Sequence, residues 1–387
     1  MLPSALTSRA ACRFLAACLA CLSLLTACRD ARSALVEKRL EAMTLREKVG
    51  QMFFVRPEQL SPAPWDEAQG KNAYHQCVSE NLVAASRDYP VGGILLLGEH
   101  IRDGRQLKAF TAQLKALDGA PLLCIDEEGG RVARIANNDL FDVPRFASMA
   151  AVGATGRPKE AYACGKAIGR YLRKYGFDID FAPVADVNTN PQNIVIGDRA
   201  FSDNPRVAAP MVVQYLKGLQ DAGVVGCIKH FPGHGDTEAD THLGVAQSLK
   251  TWPQMRDCEM IPFQAGIREG CRLVMVSHIA APLVTVNDLP ATLSQELLLG
   301  KLRGELHYKG LIITDSMDMR AITDQYTASS AAICSILSGV DIVLTPEDFT
   351  YTFDAVVDAV ECGVIPEERI DESVRRILSL KLLLSGR

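Results

Sequence analysis

The sequence has few aromatic residues, no excess of basic residues and, after residue 27, no long apolar run. Aromatic residues make up 6% of the 387 residues, and the formal net charge is -5. Without a lysine- and arginine-rich stripe, a nucleic-acid partner is not expected, because affinity for a phosphate backbone depends on clustered cations. No run after residue 27 reaches the roughly 18 apolar residues that a transmembrane helix needs. Hydrophobic residues at 48% indicate a globular protein and exclude disordered and collagen-like chains.

Cysteine is comparatively frequent, but its spacing does not indicate a disulfide framework. Of the 12 cysteines, four lie in or just after the N-terminal segment, and the other eight are scattered without a CxxC pair. Cys124 and Cys227 fall inside apolar runs, where a free thiol behaves as a small buried hydrophobe. We interpret the eight as structural free thiols.

The first 27 residues have the pattern of a secretory signal peptide. Arg9 and Arg13 precede an uncharged run from Phe14 to Ala27, which is too short to span a bilayer comfortably. The run ends in Leu-Thr-Ala-Cys at Cys28, which resembles a bacterial lipoprotein box; the alternative is an ordinary signal peptide with a chance cysteine. We predict a mature protein that is lipid-anchored to a membrane through Cys28 and faces an extracytoplasmic compartment. Residues 28–44 are then a short tether and the start of the first helix.

Beyond residue 45, short apolar runs alternate with amphipathic stretches. The predicted strands are Met52 to Val55, Gly93 to Leu97, Leu122 to Ile125, Asp178 to Pro183, Gly226 to Lys229, Leu273 to Ser277, Leu311 to Thr314, and Asp341 to Leu344. The helical patterns between and after them are Gly104 to Leu117, Lys159 to Tyr175, Arg206 to Ala222, Trp252 to Glu269, Ser329 to Leu337 and Pro366 to Leu384. Buried strands alternating with helices indicate an α/β fold with a parallel sheet. Eight such units favour a single (β/α)₈ TIM-type barrel over residues 45–387, with an open doubly wound sheet as the alternative.

Polar and glycine-rich residues follow the strands, where barrel active sites are built. The densest stretch runs from Lys229 to His242 and holds three of the chain's seven histidines. A metal site could use its histidines and acids. However, Lys229 places a fixed cation beside them, and Pro-Gly-His-Gly breaks the spacing of helical metal motifs. Proton transfer is the preferred interpretation: Asp240 and His242 are two residues apart, so in an extended loop they lie on the same side and can hydrogen-bond. His234 and Asp236 are interpreted as attaching the glycine-rich loop to the rim.

Two further acids stand at strand ends. Asp315 is the first residue after the apolar run Leu311 to Thr314, where its side chain can face the barrel axis. A helix N-cap is an equally plausible role for such an aspartate. Asp126 poses the same question, and Gly129 and Gly130 after it allow close backbone approach to a ligand.

Four motifs, in this order, resemble glycoside hydrolase family 3, and more narrowly its single-barrel β-N-acetylglucosaminidases. They are IDEEGGRVAR from Ile125, IGDRAFS from Ile196, KHFPGHG with the later DTH between Lys229 and His242, and ITDSMDM from Ile313. The resemblance implies that Asp315 is the nucleophile, His242 the general acid/base and Asp240 the residue that orients it. It further implies sugar-binding roles for Asp126, Arg134, Arg199, Lys229 and His230, without a metal or cofactor. Family members usually read DQEGG or DHEGG, and we expect little consequence from Glu127 in this chain.

The resemblance implies retaining hydrolysis of terminal non-reducing β-linked N-acetylglucosamine, from peptidoglycan fragments or chitin-type oligosaccharides. The family's two-domain β-glucosidases take their acid/base carboxylate from a following domain; the chain ends 43 residues after the eighth predicted strand, and we expect no such domain. The alternatives are a β-glucosidase, a catalytically inactive lipid-anchored sugar-binding protein, and a metal-dependent hydrolase. The presence of Asp315 and His242 argues against the inactive protein, and loss of activity on chelation would support the metal-dependent one.

Overall fold

The computed structural model describes residues 31–63, 65–66, 71–72, 74–237 and 246–386. Eight strands, β1 to β8 in chain order, form one sheet: Phe53–Val55, Gly93–Leu95, Leu122–Ile125, Ile179–Asp180, Val225–Phe231, Leu273–Val276, Leu311–Thr314 and Val343–Leu344. Neighbours in the sheet are neighbours in the chain, and every pairing is parallel. A bridge from Ile313 in β7 to Ile342, just before β8, closes the ring. The predicted (β/α)₈ barrel is therefore confirmed, and the open doubly wound sheet is wrong.

Helices surround the barrel. The α-helices are 31–41, Leu45–Gln51, Pro57–Leu60, Glu80–Asp88, Gly104–Leu114, Met149–Ala154, Pro158–Lys174, Pro205–Asp221, Trp252–Arg256, Met260–Arg268, Arg320–Thr323, Ala328–Leu337, Phe349–Glu361 and Glu367–Ser385. A π-helix covers Glu296–Glu305, and short 3₁₀ turns cover Gly98–His100, Gly197–Arg199 and Ala291–Leu293. Two-residue strands form small additional pairs at Trp65–Asp66 with Lys71–Asn72, and at Ala246–Gln247 with Ile279–Ala280, while Glu127–Gly129 pairs with Val132–Ala133.

The barrel strands coincide with the predicted apolar runs because their residues are covered on both faces. Leu123, Ile125, Ile228 and Ile312 have no exposed surface. Such strands read as continuous apolar runs rather than as alternating ones. All eight predicted strands are present, but their ends differ. Gly93–Leu95 and Leu273–Val276 end earlier than predicted, where the chain turns into a rim loop, whereas Val225–Phe231 is longer than predicted at both ends.

One predicted helix is divided in two. The pattern from Trp252 to Glu269 predicts a single helix, whereas the structure has Trp252–Arg256 and Met260–Arg268. A continuous helix would place Pro262 four residues after Cys258, where proline cannot donate to that carbonyl and its ring clashes with it. In the second helix Pro262 instead lies in the first turn, where the missing N–H costs nothing.

The N-terminal helix packs on the barrel. Val36 and Leu40 on helix 31–41 are buried, and Glu37 forms an ion pair with Arg375 of the last helix. The segment 28–44, predicted as a short tether and the start of the first helix, is largely helical in its described part, whereas Cys28 lies outside the described residues. No helix within the described ranges has the length and apolar character needed to cross a bilayer.

The cysteines of the described part differ in environment. All eight, from Cys77 to Cys362, are free thiols. Cys124, Cys164, Cys227 and Cys271 are buried, as expected of small apolar side chains. The remaining cysteines are exposed or half-buried.

Candidate active site

A cavity of about 300 Å³ opens at the carboxyl ends of the barrel strands. Six residues predicted from the sequence line it, namely Asp126, Arg134, Arg199, Lys229, His230 and Asp315. The closed parallel barrel explains this convergence, because it brings all eight strand ends to one rim. Asp240 and His242, the predicted proton-transfer pair, lie outside the described residues, as does Cys28.

Lys229 is the buried cation around which the cavity is organised. Its Nζ lies 2.7 Å from Oδ1 of Asp126 and 2.6 Å from Oε1 of Glu128. Glu128 also accepts two hydrogen bonds from Arg199, one from Nε and one from Nη2, each 2.8 Å long. Arg134 is more distant, with Nη2 3.7 Å from Oδ2 of Asp126. Asp126 is therefore not a helix cap; it is one of two carboxylates that neutralise Lys229.

The charges of Glu128 and Lys229 are fixed across the physiological range. Burial raises the pKa of Glu128, but Arg199 and Lys229 outweigh it and hold that pKa far below its ordinary value. Burial likewise lowers the pKa of Lys229, while Asp126 and Glu128 raise it above its usual range. The side chains of Glu128 and Lys229 are 1% and 3% exposed, so little water competes for their hydrogen bonds. Lys229 and Arg199 therefore remain positioned cationic donors.

His230 is oriented by a buried acid. Its Nδ1 lies 2.6 Å from Oδ2 of Asp186, and its Nε2 lies 3.3 Å from Nη2 of Arg199. Because a guanidinium can only donate, Nε2 accepts, and the ring proton sits on Nδ1 and is donated to Asp186. Burial raises the pKa of Asp186, but His230 and His234 lower it to below its ordinary value. Asp186 also accepts the backbone N–H of His234 at 2.7 Å.

Asp315 stands directly at the end of β7. Its backbone N–H donates to Val276 O of β6 at 2.8 Å, and its Oδ1 accepts the N–H of Ser316 at 2.8 Å. The N-cap of the next helix is Met319, so the capping role considered for Asp315 is wrong. Burial raises the pKa of Asp315, but His230 and His278, together with the Ser316 N–H, hold it below its ordinary value. Asp315 is an ionised carboxylate at neutral pH.

A second aspartate in the cavity differs in one respect. Asp318 forms an ion pair with Arg56, with Oδ2 and Nη1 2.7 Å apart, and its Oδ1 accepts from Ser316 at 2.8 Å. Among the described residues, no lysine or arginine lies within 4 Å of the Asp315 carboxylate. Only Asp315 is thus available to react without first losing an ion pair.

The glycine-rich loop after β5 is attached to the rim in the way the sequence predicts. Asn193 donates to His234 O at 2.7 Å, and Thr237 Oγ1 lies 2.8 Å from Nδ1 of His234. His234 is also part of the candidate site, because its side chain lines the cavity. Asp236 does not line the cavity and instead accepts from Ser248 Oγ at 2.6 Å.

The glycines after Asp126 have a different role from the predicted one. Gly129 and Gly130 have φ values of +88° and +66°, and they form the turn of a short hairpin. A Cβ on Gly129 would lie 2.7 Å from Met149 Cε, so this glycine gives close packing against a helix. Neither glycine lines the cavity. The predicted close approach of these glycines to a ligand is therefore wrong: the missing side chains allow close packing within the protein.

Glu127, the departure from the usual family motif, is buried away from the cavity. Its carboxylate accepts the backbone N–H groups of Arg134, Ile135 and Ala136 at 2.6 to 2.9 Å and the Tyr171 hydroxyl at 2.8 Å. Burial raises its pKa. Glu127 therefore stabilises the hairpin.

Sequence reasoning missed two acids of the site, Glu128 and Asp186. Both follow predicted strands closely, Glu128 three residues after β3 and Asp186 three residues after the predicted fourth strand. A search restricted to the first acid after each strand passes over Glu128, which follows Asp126 and Glu127. Asp186 is the first acid after the predicted fourth strand, so the same search extended to every strand finds it.

The arrangement contains no metal centre in its described part. No group of three or more histidine, cysteine, aspartate or glutamate side chains within the described ranges is placed to hold an ion. Within the part of the chain that the structure describes, the cavity instead combines fixed cations, a tautomerically fixed imidazole and the carboxylate of Asp315, which has no lysine or arginine partner there. A (β/α)₈ barrel with such a set at its carboxyl rim is typical of enzymes that bind polar substrates and use a carboxylate for chemistry.

The chain belongs to glycosyl hydrolase family 3, because the model of the family's N-terminal domain matches residues 44–380. A curated relative, beta-hexosaminidase A of Pseudoalteromonas piscicida, is 33% identical over 76% of this chain. Beta-hexosaminidase LpqI of Mycobacterium tuberculosis is 33% identical over 77% of this chain and 77% of its own length.

Solved structures agree with the fold. A glycoside hydrolase family 3 beta-N-acetylglucosaminidase from Paenibacillus aligns with a TM-score of 0.80 and 34% identity, covering 89% of this chain and 63% of that one. The structure of Mycobacterium tuberculosis LpqI aligns with a TM-score of 0.75 and 29% identity, covering 88% of this chain and 94% of that one. The chain spans 54% of the Pseudoalteromonas relative.

Proposed function

We propose that this protein hydrolyses terminal non-reducing β-linked N-acetylglucosamine residues with retention of configuration. The observation that carries the proposal is the Asp315 carboxylate, which forms no ion pair with a lysine or arginine of the described residues and shares one cavity with the fixed donors Lys229 and Arg199 and the imidazole of His230. A cavity of about 300 Å³ is at the lower end of small-molecule pockets, which suits a single sugar residue. The names of the curated relatives and of the Paenibacillus structure support the choice of N-acetylglucosamine.

In the proposed reaction, Asp315 attacks the anomeric carbon and forms a glycosyl-enzyme ester through an oxocarbenium-like transition state. The bond to the leaving oxygen breaks as His242 donates a proton to that oxygen. The neutral imidazole then takes a proton from water, which attacks the same carbon and releases Asp315. A histidine, with a reference pKa of about 6.5, suits both transfers near neutrality. Asp240 orients this imidazole.

Lys229, Arg199 and His230 bind the sugar in this proposal. Their positions depend on Glu128 and Asp186, which hold these side chains in place before the substrate arrives. A preorganised set of this kind does not have to be reoriented during the reaction. Asp126 and Arg134 complete the hydroxyl and acetamido contacts.

We further propose an extracytoplasmic location through a lipid on Cys28, with peptidoglycan fragments or chitin-type oligosaccharides as the source of the sugar. Support comes from the basic and apolar pattern of residues 1–27, which ends at a cysteine followed by Arg29 and Asp30.

The test compares paired 4-nitrophenyl β-N-acetylglucosaminide and β-glucoside with wild type, Asp315→Asn and Asp318→Asn. We expect cleavage of the N-acetylglucosaminide, with the β-anomer as the first product by NMR. Asp315→Asn should lose this activity. Asp318→Asn is the matched control, because Asp318 lines the same cavity but is paired with Arg56, and it should remain measurably active.

Preferential cleavage of the β-glucoside would replace the substrate assignment by a β-glucosidase. Activity that survives Asp315→Asn but disappears on chelation would replace the mechanism by metal-dependent hydrolysis. Sugar binding without turnover by wild type would identify an inactive binding protein.

A further inference from the structure

The two ends of the chain segment that contains Asp240 and His242 meet at one point. Asp236 precedes the segment and Ser248 follows it, and Ser248 Oγ donates to Oδ2 of Asp236 at 2.6 Å. Counted along the chain, His242 is six residues from each of them. The chain segment from Asp236 to Ser248 therefore begins and ends at the same hydrogen bond.

Each end is also fixed to the barrel separately. Before the segment, Asn190 donates its side-chain amide to Thr237 O at 3.2 Å, and its backbone N–H donates to Gly235 O at 3.0 Å. After it, Ala246–Gln247 pairs in parallel with Ile279–Ala280, and Ser248 N donates to Ala280 O at 2.9 Å. The Asp236 and Ser248 contact joins these two attachments.

Lys250 and Glu259 extend the contact into the protein. Lys250 Nζ donates to Oε1 of Glu259 and lies 3.7 Å from Oδ2 of Asp236. The Glu259 side chain is fully buried, and that of Asp236 is 11% exposed. We call Asp236, Ser248, Lys250 and Glu259 the acidic brace, because one lysine faces two carboxylates.

The acidic brace also touches the chain between His230, in β5, and His234, in the loop that follows. Gly233 between them has a φ of +124°, and a Cβ there would lie 2.5 Å from Cγ of Glu259. Glu259 therefore packs against bare backbone in the middle of this loop.

The acidic brace is not built for stability alone. Oδ1 of Asp236 and Oε2 of Glu259 are buried and have no hydrogen-bond partner among the described residues. Leaving such acceptors unpaired costs free energy, and buried groups of this kind call for a functional explanation.

We propose that the acidic brace is a positioning device for the acid/base segment: it fixes both ends of residues 238–245 so that His242 can protonate the leaving group. The proposal rests on the proposed function. In general, fixing both ends of a chain segment reduces the number of conformations open to it, and small misplacements of a catalytic group are costly. None of the four residues lines the cavity, so they act through the segment and not on the sugar.

The test uses Ser248→Ala and Lys250→Met and compares kcat/KM for two N-acetylglucosaminides. One has a 2,4-dinitrophenyl group, which departs without protonation, and the other has a poor alkyl leaving group. We expect kcat/KM to fall by about 10-fold or more on the alkyl glycoside, a part of the 10²- to 10⁴-fold that general acid catalysis contributes. On the dinitrophenyl glycoside it should change little, which also shows that the variant is folded.

Ser373→Ala is the matched control. Ser373 is fully buried and donates to Oδ1 of Asp341 at 2.7 Å, so the same kind of hydrogen bond is lost in a helix at the opposite end of the barrel. It should leave the ratio of the two kcat/KM values unchanged. Wild-type cleavage of either glycoside tests the proposed function itself. Given that activity, an unchanged ratio in Ser248→Ala, or an equal loss on both glycosides, would overturn the positioning role and leave the proposed function intact. If Lys250→Met does not fold, the ratio of the two kcat/KM values in Ser248→Ala alone decides whether the positioning role holds.

Discussion

Replacing Glu128 by glutamine removes one negative charge from the centre of the site without changing its shape. In the native protein Glu128 faces Lys229 and both donating nitrogens of Arg199 within 2.8 Å. Glutamine keeps one carbonyl acceptor, but its amide group turns N–H donors toward a cation. The substitution therefore leaves buried positive charge compensated only by Asp126.

Removing one partner of a buried ion pair typically costs 3–5 kcal/mol, because the remaining charge stays desolvated. For Glu128→Gln we expect the free energy of unfolding to fall by about 3 kcal/mol, which is the lower limit of this range, because Asp126 still pairs with Lys229. At about 2.1 cal/mol/K of unfolding entropy per residue, a chain of this size loses about 4 °C in Tm for that amount.

The pH dependence has a definite sign. The pKa of Glu128 is below its ordinary value of 4.5 in the folded state, so its contribution is complete above pH 4.5 and is lost as the pH falls through the folded-state pKa. The Tm difference between wild type and Glu128→Gln should therefore be full at neutral pH and shrink only under acid conditions.

Differential scanning calorimetry at pH 7 and in the acid range measures the Tm difference between wild type and Glu128→Gln. The matched control is Glu372→Gln, because Glu372 also pairs with two arginines, Arg369 and Arg376, but is 50% exposed. Exposed pairs contribute about 0–1 kcal/mol, so the control should shift Tm by at most about 1 °C. A Glu128→Gln protein within 1 °C of wild type, or no more affected than the control, would refute the buried-charge argument.

Three further predictions concern the chemistry and location. A 2-fluoro or 5-fluoro glycosyl trap should label Asp315; a label on Asp318 or Asp240 in peptide mapping would contradict the assignment, and no label with retained stereochemistry would indicate substrate-assisted catalysis. His242→Ala should lose 10²- to 10⁴-fold on a natural disaccharide yet form the glycosyl-enzyme almost normally from a dinitrophenyl glycoside, with Asp240→Asn milder; equal loss on both substrates would make the histidine positional or a metal ligand. Mass spectrometry of the mature N-terminus should find an acylated Cys28, and an unmodified cysteine or an intact Met1 would disprove the lipid anchor.

The strand order and the general location of the site were readable from the sequence. Apolar runs such as Leu122–Ile125 and Leu311–Thr314 match the observed strands residue for residue, because strands covered on both faces select apolar side chains continuously. The acids and cations that follow the runs are brought to one rim by barrel closure. Asp126, Lys229 and Asp315 could be named for this reason.

What each of these side chains contacts could not be read in the same way. The sequence left Asp315 and Asp126 undecided between a helix cap and the cavity, since both roles place an aspartate after a strand. Gly129 and Gly130 were interpreted as approaching a ligand, whereas their positive φ values serve a hairpin turn. The local sequence pattern indicates that the backbone needs a conformation favoured by glycine. It does not identify the atoms against which that backbone packs.

By itself, the sequence determined the class of fold, the family and six of the residues that line the cavity, because these depend on local periodicity and on motif spacing. Only the tertiary structure decided the pairings: Glu128 between Lys229 and Arg199, Asp186 behind His230, and Asp318 neutralised by Arg56. These partners are 44 to 262 residues apart in the chain and meet only when the barrel closes. Charge compensation in a desolvated cavity depends on distances of a few ångströms, which a linear pattern does not contain.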